Sequence, residues 1–193
     1  ILYDNVSMRY DPVTSLVFST DNRLLISSRA DGSVVQWDSL TGRHYTLLHP
    51  LDTTGESNTA LSPDGRILAL WNWGDGGLWL WDTKTGMRLA KLSNNTIQSL
   101  TFSPDGRLLA TLDDQGNVLL WSVLSKKSSA PIMIAHTPFP VVGDLLNFSP
   151  DGKVLATSIC TEGIIENGGN PIYCGPDNII LWNVASRKQI GLP

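Results

Sequence analysis

The chain has 193 residues, 41% of them hydrophobic and 17% charged, with a formal net charge of −4. That balance excludes a disordered chain, and no apolar run approaches the roughly 18 residues that a membrane-spanning helix needs. The acidic balance argues against nucleic acid as a partner, since phosphate binding relies on clustered Lys and Arg, and no basic cluster here is longer than a pair such as Lys126-Lys127. The sequence opens on Ile1 rather than Met, so the natural N-terminus is expected to lie upstream.

In chain order, residues 1–12 are expected to hold the outer strand of a preceding unit. From about Val13 four units follow, at 13–48, 56–92, 97–134 and 141–193. Each opens on an apolar anchor and a turn: Phe18-Ser19-Thr20-Asp21-Asn22, Leu61-Ser62-Pro63-Asp64-Gly65, Phe102-Ser103-Pro104-Asp105-Gly106 and Phe148-Ser149-Pro150-Asp151-Gly152. Successive anchors stand 43, 41 and 46 residues apart. In such a turn Pro presets φ, Asp bonds back to the backbone and Gly accepts positive φ. Asn22 replaces Gly in the first unit, as the residue that tolerates the left-handed region next best.

Short apolar runs follow the turns: Leu24-Leu25-Ile26-Ser27, Ile67-Leu68-Ala69-Leu70, Leu108-Leu109-Ala110-Thr111 and Val154-Leu155-Ala156-Thr157. They are too short for buried helices and are bounded by turn signals, so they predict core strands. A second turn and a strand ending in Trp37, Trp81, Trp121 or Trp182 come next. Thr41-Gly42 and Thr85-Gly86 then open outer strands over residues 43–48 and 87–92. Each unit is a four-stranded antiparallel meander that must stack on its neighbours to bury both faces.

These residues resemble the WD-repeat family of β-propellers, and the resemblance covers nearly the whole chain from about Val13. The run Ser103-Pro104-Asp105-Gly106-Arg107-Leu108-Leu109-Ala110-Thr111, followed by Leu120-Trp121, is similar to that of bacterial members. There such propellers follow signalling ATPase or kinase domains, so a multidomain prokaryotic parent is expected. The resemblance implies an all-β propeller of four-stranded antiparallel blades, with about four blades of a ring of about seven. The other reading is a half-ring that dimerises into an eight-bladed one. The isolated chain is expected to self-associate, because its terminal blades expose apolar faces.

The resemblance also implies a polar network joining a His before the first strand, a Ser or Thr on the second, the turn Asp and the Trp. His49 and His136 stand twelve residues before Leu61 and Phe148, but Leu70 occupies the Ser/Thr place of its unit. Thr157 and Trp182 are kept, yet Pro176 takes the turn-Asp position and Asp177 lies one residue off. Ser27, Asp31 and Trp37 have no visible His partner, so no unit shows the complete network and apolar packing is expected to dominate. His44 is expected to be solvated.

Cys160 and Cys174 bracket an insertion in the last unit, residues 159–176, where anchor to Trp spans 34 residues against 19 or 20 elsewhere. Its Gly and Pro content predicts an irregular loop. The cysteines form either a disulfide, stabilising by roughly 3 kcal/mol on the chain-entropy model, or free thiols in a reducing cytosol. Two further zinc ligands are not evident, so no metal and no cofactor are expected. Trp71 and Trp73 are expected to face Trp79 and Trp81 across the turn at residues 74–77. Trp73, beside that turn, is either hairpin packing or an exposed binding aromatic.

In the family resembled, the turns between second and third strands share one face with the loops before first strands. Here that face would carry Arg29, Trp73, Asp113, Asp114 and an insertion holding Glu162, Ile164, Ile165, Glu166 and Tyr173. Nucleotide loops, His-Glu-x-x-His and nucleophile elbows are absent from the sequence, and no His, Asp, Glu or Arg recurs as a channel site would require. The expectation is a non-catalytic scaffold or recognition module in the cytoplasm that binds a protein partner through this face. The alternative is a small-molecule or glycan-binding propeller at the cell surface or in the periplasm, favoured by a bridged cysteine pair.

Overall fold

Strand formation here is decided by the turns, because each turn closes its own hydrogen bonds. The computed structural model describes residues 13–19, 21–29, 33–48, 57–72, 77–123, 131–136, 146–159, 163–165, 171–174 and 178–191. In each opening turn the Ser hydroxyl donates to the Asp carboxylate, at 2.6 Å for Asp21, 2.7 Å for Asp64, 2.6 Å for Asp105 and 2.6 Å for Asp151. The same carboxylate oxygen accepts the backbone N–H two residues on, from Arg23, Arg66, Arg107 and Lys153. The Ser oxygen meanwhile accepts the N–H of Leu24, Ile67, Leu108 or Val154, the first residue of the next strand. The chain reverses through positive φ at Asn22 (57°), Gly65 (72°), Gly106 (70°) and Gly152 (69°). All of this is written in six consecutive residues, which is why the turn recurs in every unit.

Four four-stranded antiparallel sheets result. The first holds β1 (Val13–Phe18), β2 (Leu24–Arg29), β3 (Val34–Asp38) and β4 (His44–Leu48). The second holds β5 (Ser57–Leu61), β6 (Ile67–Asn72), β7 (Gly77–Asp82) and β8 (Arg88–Ser93). The third holds β9 (Ile97–Phe102), β10 (Leu108–Asp113), β11 (Asn117–Ser122) and β12 (Ile132–His136). In the fourth, β13 (Leu146–Phe148) and β14 (Val154–Ile159) are followed by an inserted pair, β15 (Gly163–Ile165) and β16 (Pro171–Cys174). The sheet then resumes with β17 (Asn178–Asn183) and β18 (Lys188–Ile190), in the order β13-β14-β17-β18. Each sheet is one blade.

The turns between third and fourth strands are a second local device. Asp38 accepts the N–H groups of Leu40 and Thr41 and the Thr41 hydroxyl; Asp82 does the same with Lys84 and Thr85. In the fourth blade Asn183 takes this role toward Ser186, and Arg187 adopts φ 59° where the other two blades place Gly42 and Gly86.

Every blade has two faces, set by the two-residue period of its strands. The front face carries the apolar anchor and the Trp: Phe18 pairs Leu25 and Leu25 pairs Trp37, and the same register recurs for Leu61, Phe102 and Phe148. The back face carries the residues between them. The chain divides into two compact units, one holding the first two blades and one the last two. Within the first unit, Val17, Ile26 and Val34 on the back of blade 1 pack on Leu61, Leu68, Leu70 and Trp81 on the front of blade 2. Within the second, Ala110, Leu112, Val118 and Leu120 on the back of blade 3 pack on Leu146, Phe148, Leu155 and Trp182 on the front of blade 4. Each fully buried Leu or Ile in these layers contributes about 1.5–3 kcal/mol.

One anchor departs from expectation. Phe18 occupies the expected register but is exposed, whereas Leu61, Phe102 and Phe148 are buried. Its register follows from its own hairpin, whereas its burial requires another sheet against the front of blade 1.

Candidate interaction surface

The turns from second to third strand lie at the opposite end of each sheet from the Ser-Pro-Asp-Gly turns. In blade 1, Arg29 closes β2 half-buried, and its N–H donates to the Ser33 carbonyl at 3.0 Å. In blade 2, Trp73 lies outside the described residues. In blade 3 the turn is spelled out: Asp113 Oδ1 accepts the N–H groups of Gln115 (3.1 Å) and Asn117 (2.8 Å), and Oδ2 accepts Asn117 Nδ2 (3.0 Å). Asp113 is 2% exposed. Its carboxylate is consumed in holding the turn, so the expectation of Asp113 as a surface contact is corrected, while Asp114 next to it is exposed. Asn117 Oδ1 in turn meets His136 Nδ1 at 2.9 Å, tying the turn to β12. His136 therefore serves the blade that it ends rather than the one that follows it.

Blade 4 carries the largest departure at this end. β14 and β17 stay paired out to Ile159 and Asn178, and between them the chain builds a second hairpin instead of the irregular loop expected. Gly163 pairs Cys174, Ile164 pairs Tyr173 and Ile165 pairs Pro171, with an irregularity between Ile164 and Ile165. Ile164, Ile165, Ile172 and Tyr173 are strand-forming residue types, and Pro171 sits at a strand start, where its missing N–H is tolerated. Glu162 and Cys160 lie outside the described residues, and so does any link between Cys160 and Cys174.

The tryptophans show how far each blade keeps the polar bridge across its sheet. Trp37 Nε1 donates to Ser27 Oγ at 2.9 Å, Trp121 Nε1 to Thr111 Oγ1 at 2.9 Å and Trp182 Nε1 to Thr157 Oγ1 at 3.1 Å. In blade 2 Leu70 offers no oxygen, and buried Trp81 Nε1 has no hydrogen-bond partner among the described residues. A different device holds this sheet: the Arg88 guanidinium lies 4.5 Å from the Trp79 ring centre and 4.9 Å from that of Trp81, with Lys91 Nζ 5.3 Å from Trp79.

Trp71 does not join this group. It pairs Leu78 and stands on the back face, while Trp79 pairs Leu70 and Trp81 pairs Leu68 on the front. Leu78 is an odd number of residues from both Trp79 and Trp81, and an odd offset in register moves a side chain to the other face. His44, expected to be solvated, packs on Trp37 with ring centres 4.6 Å apart and planes tilted by 39°. Sequence reasoning also missed Gln36, whose place is taken by Leu80, Leu120 and Leu181 in the other blades. Its buried Oε1 has no partner among the described residues, and Gln36 lines a cleft of about 450 Å³ with Asp64, Arg66, Thr83 and Lys84. The polar break in an apolar run was the available signal.

Among the described residues no group of three or more His, Cys, Asp or Glu is placed to hold a metal, and no helix is long and apolar enough to cross a membrane.

Repeating four-stranded meanders, each with a front-face Trp and stacked front to back within each unit, define the blades of a β-propeller. The family model "WD domain, G-beta repeat" matches residues 7–38 and 86–122. Periodic tryptophan protein 2 of Arabidopsis thaliana is 32% identical over 92% of this chain and 19% of its own length. A protein LST8 homolog of Drosophila melanogaster is 26% identical over 76% of this chain and 48% of its own. Transcription initiation factor TFIID subunit 5 of Caenorhabditis elegans is 26% identical over 79% of this chain and 30% of its own. The chain belongs to the WD-repeat family, and it spans less than half the length of these relatives. A solved structure, Kuenenia stuttgartiensis hydrazine synthase, superposes with a TM-score of 0.67 over 98% of this chain and 51% of the other, at 16% identity. That likeness is one of fold alone.

Proposed function

We propose that the chain is a non-catalytic protein-binding platform whose recognition element is the insertion in blade 4. The observation that carries this reading is the β15–β16 hairpin, which rises between β14 and β17 where blade 3 has only a short, self-satisfied turn. A rigid sheet that presents one elaborated loop is the usual arrangement for recognition. Ile164, Ile165 and Tyr173 on the hairpin supply apolar and aromatic residues of the kind that dominate binding hot spots, and Glu162 precedes them in the sequence. Arg29 and Asp114, each at the same end of its own blade, are the secondary candidates, with Trp73 proposed from the sequence alone. Among the relatives, one is named as a subunit of a transcription initiation factor, which supports work within a protein assembly. The net charge of −4 favours a protein partner over nucleic acid.

The test follows the register. Ile159 pairs Asn178, so residues 160–177 can be replaced by Asn-Gly, a two-residue hairpin turn. Proteins that co-purify with the wild-type chain from its native source should be lost with the variant, while its melting temperature stays within about 2 °C. Retention of the same proteins with undiminished affinity would remove the hairpin as the recognition element.

A further inference from the structure

Where the back of blade 1 meets the front of blade 2, the cleft of about 450 Å³ opens at the Ser-Pro-Asp-Gly end, with Gln36 in its wall and Arg66 and Lys84 among its lining residues. The junction between blades 3 and 4 shows what the repeat otherwise puts there. Leu120 takes the place of Gln36, each standing one residue before the Trp of its blade. Val184 takes the place of Thr83, and their N–H groups donate alike to the Lys153 and Arg66 carbonyls. Ala185 stands where blade 2 has Lys84. Leu120 and Val184 both belong to the apolar layer of their unit. In the first unit two polar side chains stand at these places, Gln36 at 7% and Thr83 at 5% exposed. The Thr83 hydroxyl is satisfied, donating to the Gly65 carbonyl at 2.6 Å. Gln36 is not: its buried Oε1 has no partner among the described residues. An unpaired buried amide costs stability where Leu would add to it, so its place in the wall of an open cleft marks a site that a ligand completes.

We propose that this cleft binds an N-acylated amino acid, either the carboxy-terminal residue of a peptide or a free acyl amino acid. A carboxamide presents a donor and an acceptor side by side, and rotation about its broad terminal torsion brings either one to the cleft; a peptide group is its complement. Arg66 and Lys84 set two cations against one carboxylate, Asp64, whose Oδ2 lies 3.9 Å from Arg66 Nε. The surplus of a single positive charge matches a monoanion such as a carboxylate, and Asp64 opposes a dianion such as a phosphate ester. A peptide group and a carboxylate held by one carbon are what the last residue of a peptide offers. The cleft lies at the opposite end of its blades from the turns between second and third strands, and its role does not depend on that of the β15–β16 hairpin.

The test is an NMR titration of the isotope-labelled chain, to about 10 mM, with three probes: acetyl-trialanine ending in a free carboxylate, the same peptide ending in an amide, and N-acetylalanine. The free-acid peptide is expected to shift the Gln36 side-chain N–H resonances, which are identified by their loss in Gln36→Leu. It is expected to bind about tenfold more tightly than the amidated peptide. Gln36→Leu is expected to melt no lower than the wild type, since Leu stands at this place in the other three blades, and to lose binding. Lys84→Ala is expected to weaken the free acid by about threefold or more and to leave the amidated peptide unchanged. N-acetylalanine binding as tightly as the free-acid peptide would support the proposal with a free acyl amino acid as ligand, and weaker binding would support it with a peptide end. No shift at Gln36, its amide then being met by water alone, would overturn the proposal. So would equal affinity for acid and amide, or binding that persists in Gln36→Leu.

Discussion

Blades 2 and 3 are built on one plan but are held across their middle strands by different forces. In blade 3 the Trp121–Thr111 hydrogen bond, the Asp113 turn and the Asn117–His136 contact form a line of polar links. In blade 2 Leu70 stands in place of the hydroxyl residue, Trp81 has no acceptor among the described residues, and Arg88 packs over two indole rings instead. Leu70 is recovered by the apolar layer with Ile26 and Val34. The comparison shows that the repeat constrains the register and the front-face Trp strictly, but not the means of satisfying that Trp. A buried N–H without a partner costs roughly 1–3 kcal/mol, comparable to what burying one Leu contributes, so the two solutions are near exchange.

The largest expected effect is one that both blades share. Phe102→Ala should destabilise by about 3–5 kcal/mol and Leu61→Ala by about 2–5 kcal/mol, read from denaturant titrations. A loss under about 1 kcal/mol at either anchor would contradict its place in the buried layer. The next separates the blades. Thr111→Val should cost about 1–3 kcal/mol by leaving Trp121 Nε1 buried without an acceptor, whereas Leu70→Thr should change stability by less than about 1 kcal/mol, the regained hydrogen bond offsetting lost apolar burial. Equal costs at the two positions would end the contrast. Arg88→Ala should cost about 0.5–1 kcal/mol, in the range of an exposed cation–π contact, and indole fluorescence should report the loss. No effect on either would leave blade 2 held by apolar packing alone.

The smallest effect lies in the turns that all blades share. Serine hydroxyls, and then backbone N–H groups, hold Asp21, Asp105 and Asp151 below the ordinary carboxylate value. Asp64 is lowered as well: partial burial opposes ionisation there, and the Ser62 and Arg66 hydrogen bonds outweigh it. Asp38 and Asp82 are lowered chiefly by the backbone N–H of Thr41 and of Thr85. A carboxylate lowered on folding binds its proton more readily in the unfolded chain. Its stabilising contribution is therefore present above the unfolded value of 3.8 and is lost as pH falls through the lower folded value. Melting temperature should fall below about pH 4, and less steeply in Asp105→Asn, with each such side chain contributing little because it is solvated. An unchanged pH profile in that variant would show that the Asp105 carboxylate does not act through its charge.

Much of the fold was legible because its signals are local. The Ser-Pro-Asp-Gly segment specifies a closed turn within six neighbouring residues, and even the Asn22 exception adopts the positive φ that its residue type allows. The candidate surface was less legible. Asp113 looked like an exposed acid until its turn hydrogen bonds were seen, although Asn117 four residues on was the clue to an Asp-closed turn. The insertion looked irregular because its Gly and Pro residues outweighed the strand-forming Ile164, Ile165, Ile172 and Tyr173 between them. Arg88 could not be placed over Trp79 and Trp81 without the register of β7 and β8, which shifts twice along their length.

The sequence by itself determined the repeat, the strands of each repeating unit, their turns and the identity of each front-face anchor, because all of these depend on chemistry within a few residues of chain. Only the tertiary structure decided which of those anchors is buried, which Trp finds an oxygen, and on which face Trp71 stands. Burial depends on what packs against a sheet from outside it, whereas the Trp acceptors and the face of Trp71 depend on the pairing of strands within one blade. Phe18 shows the division: its own hairpin sets its register with Leu25, and nothing within its own blade can remove it from water.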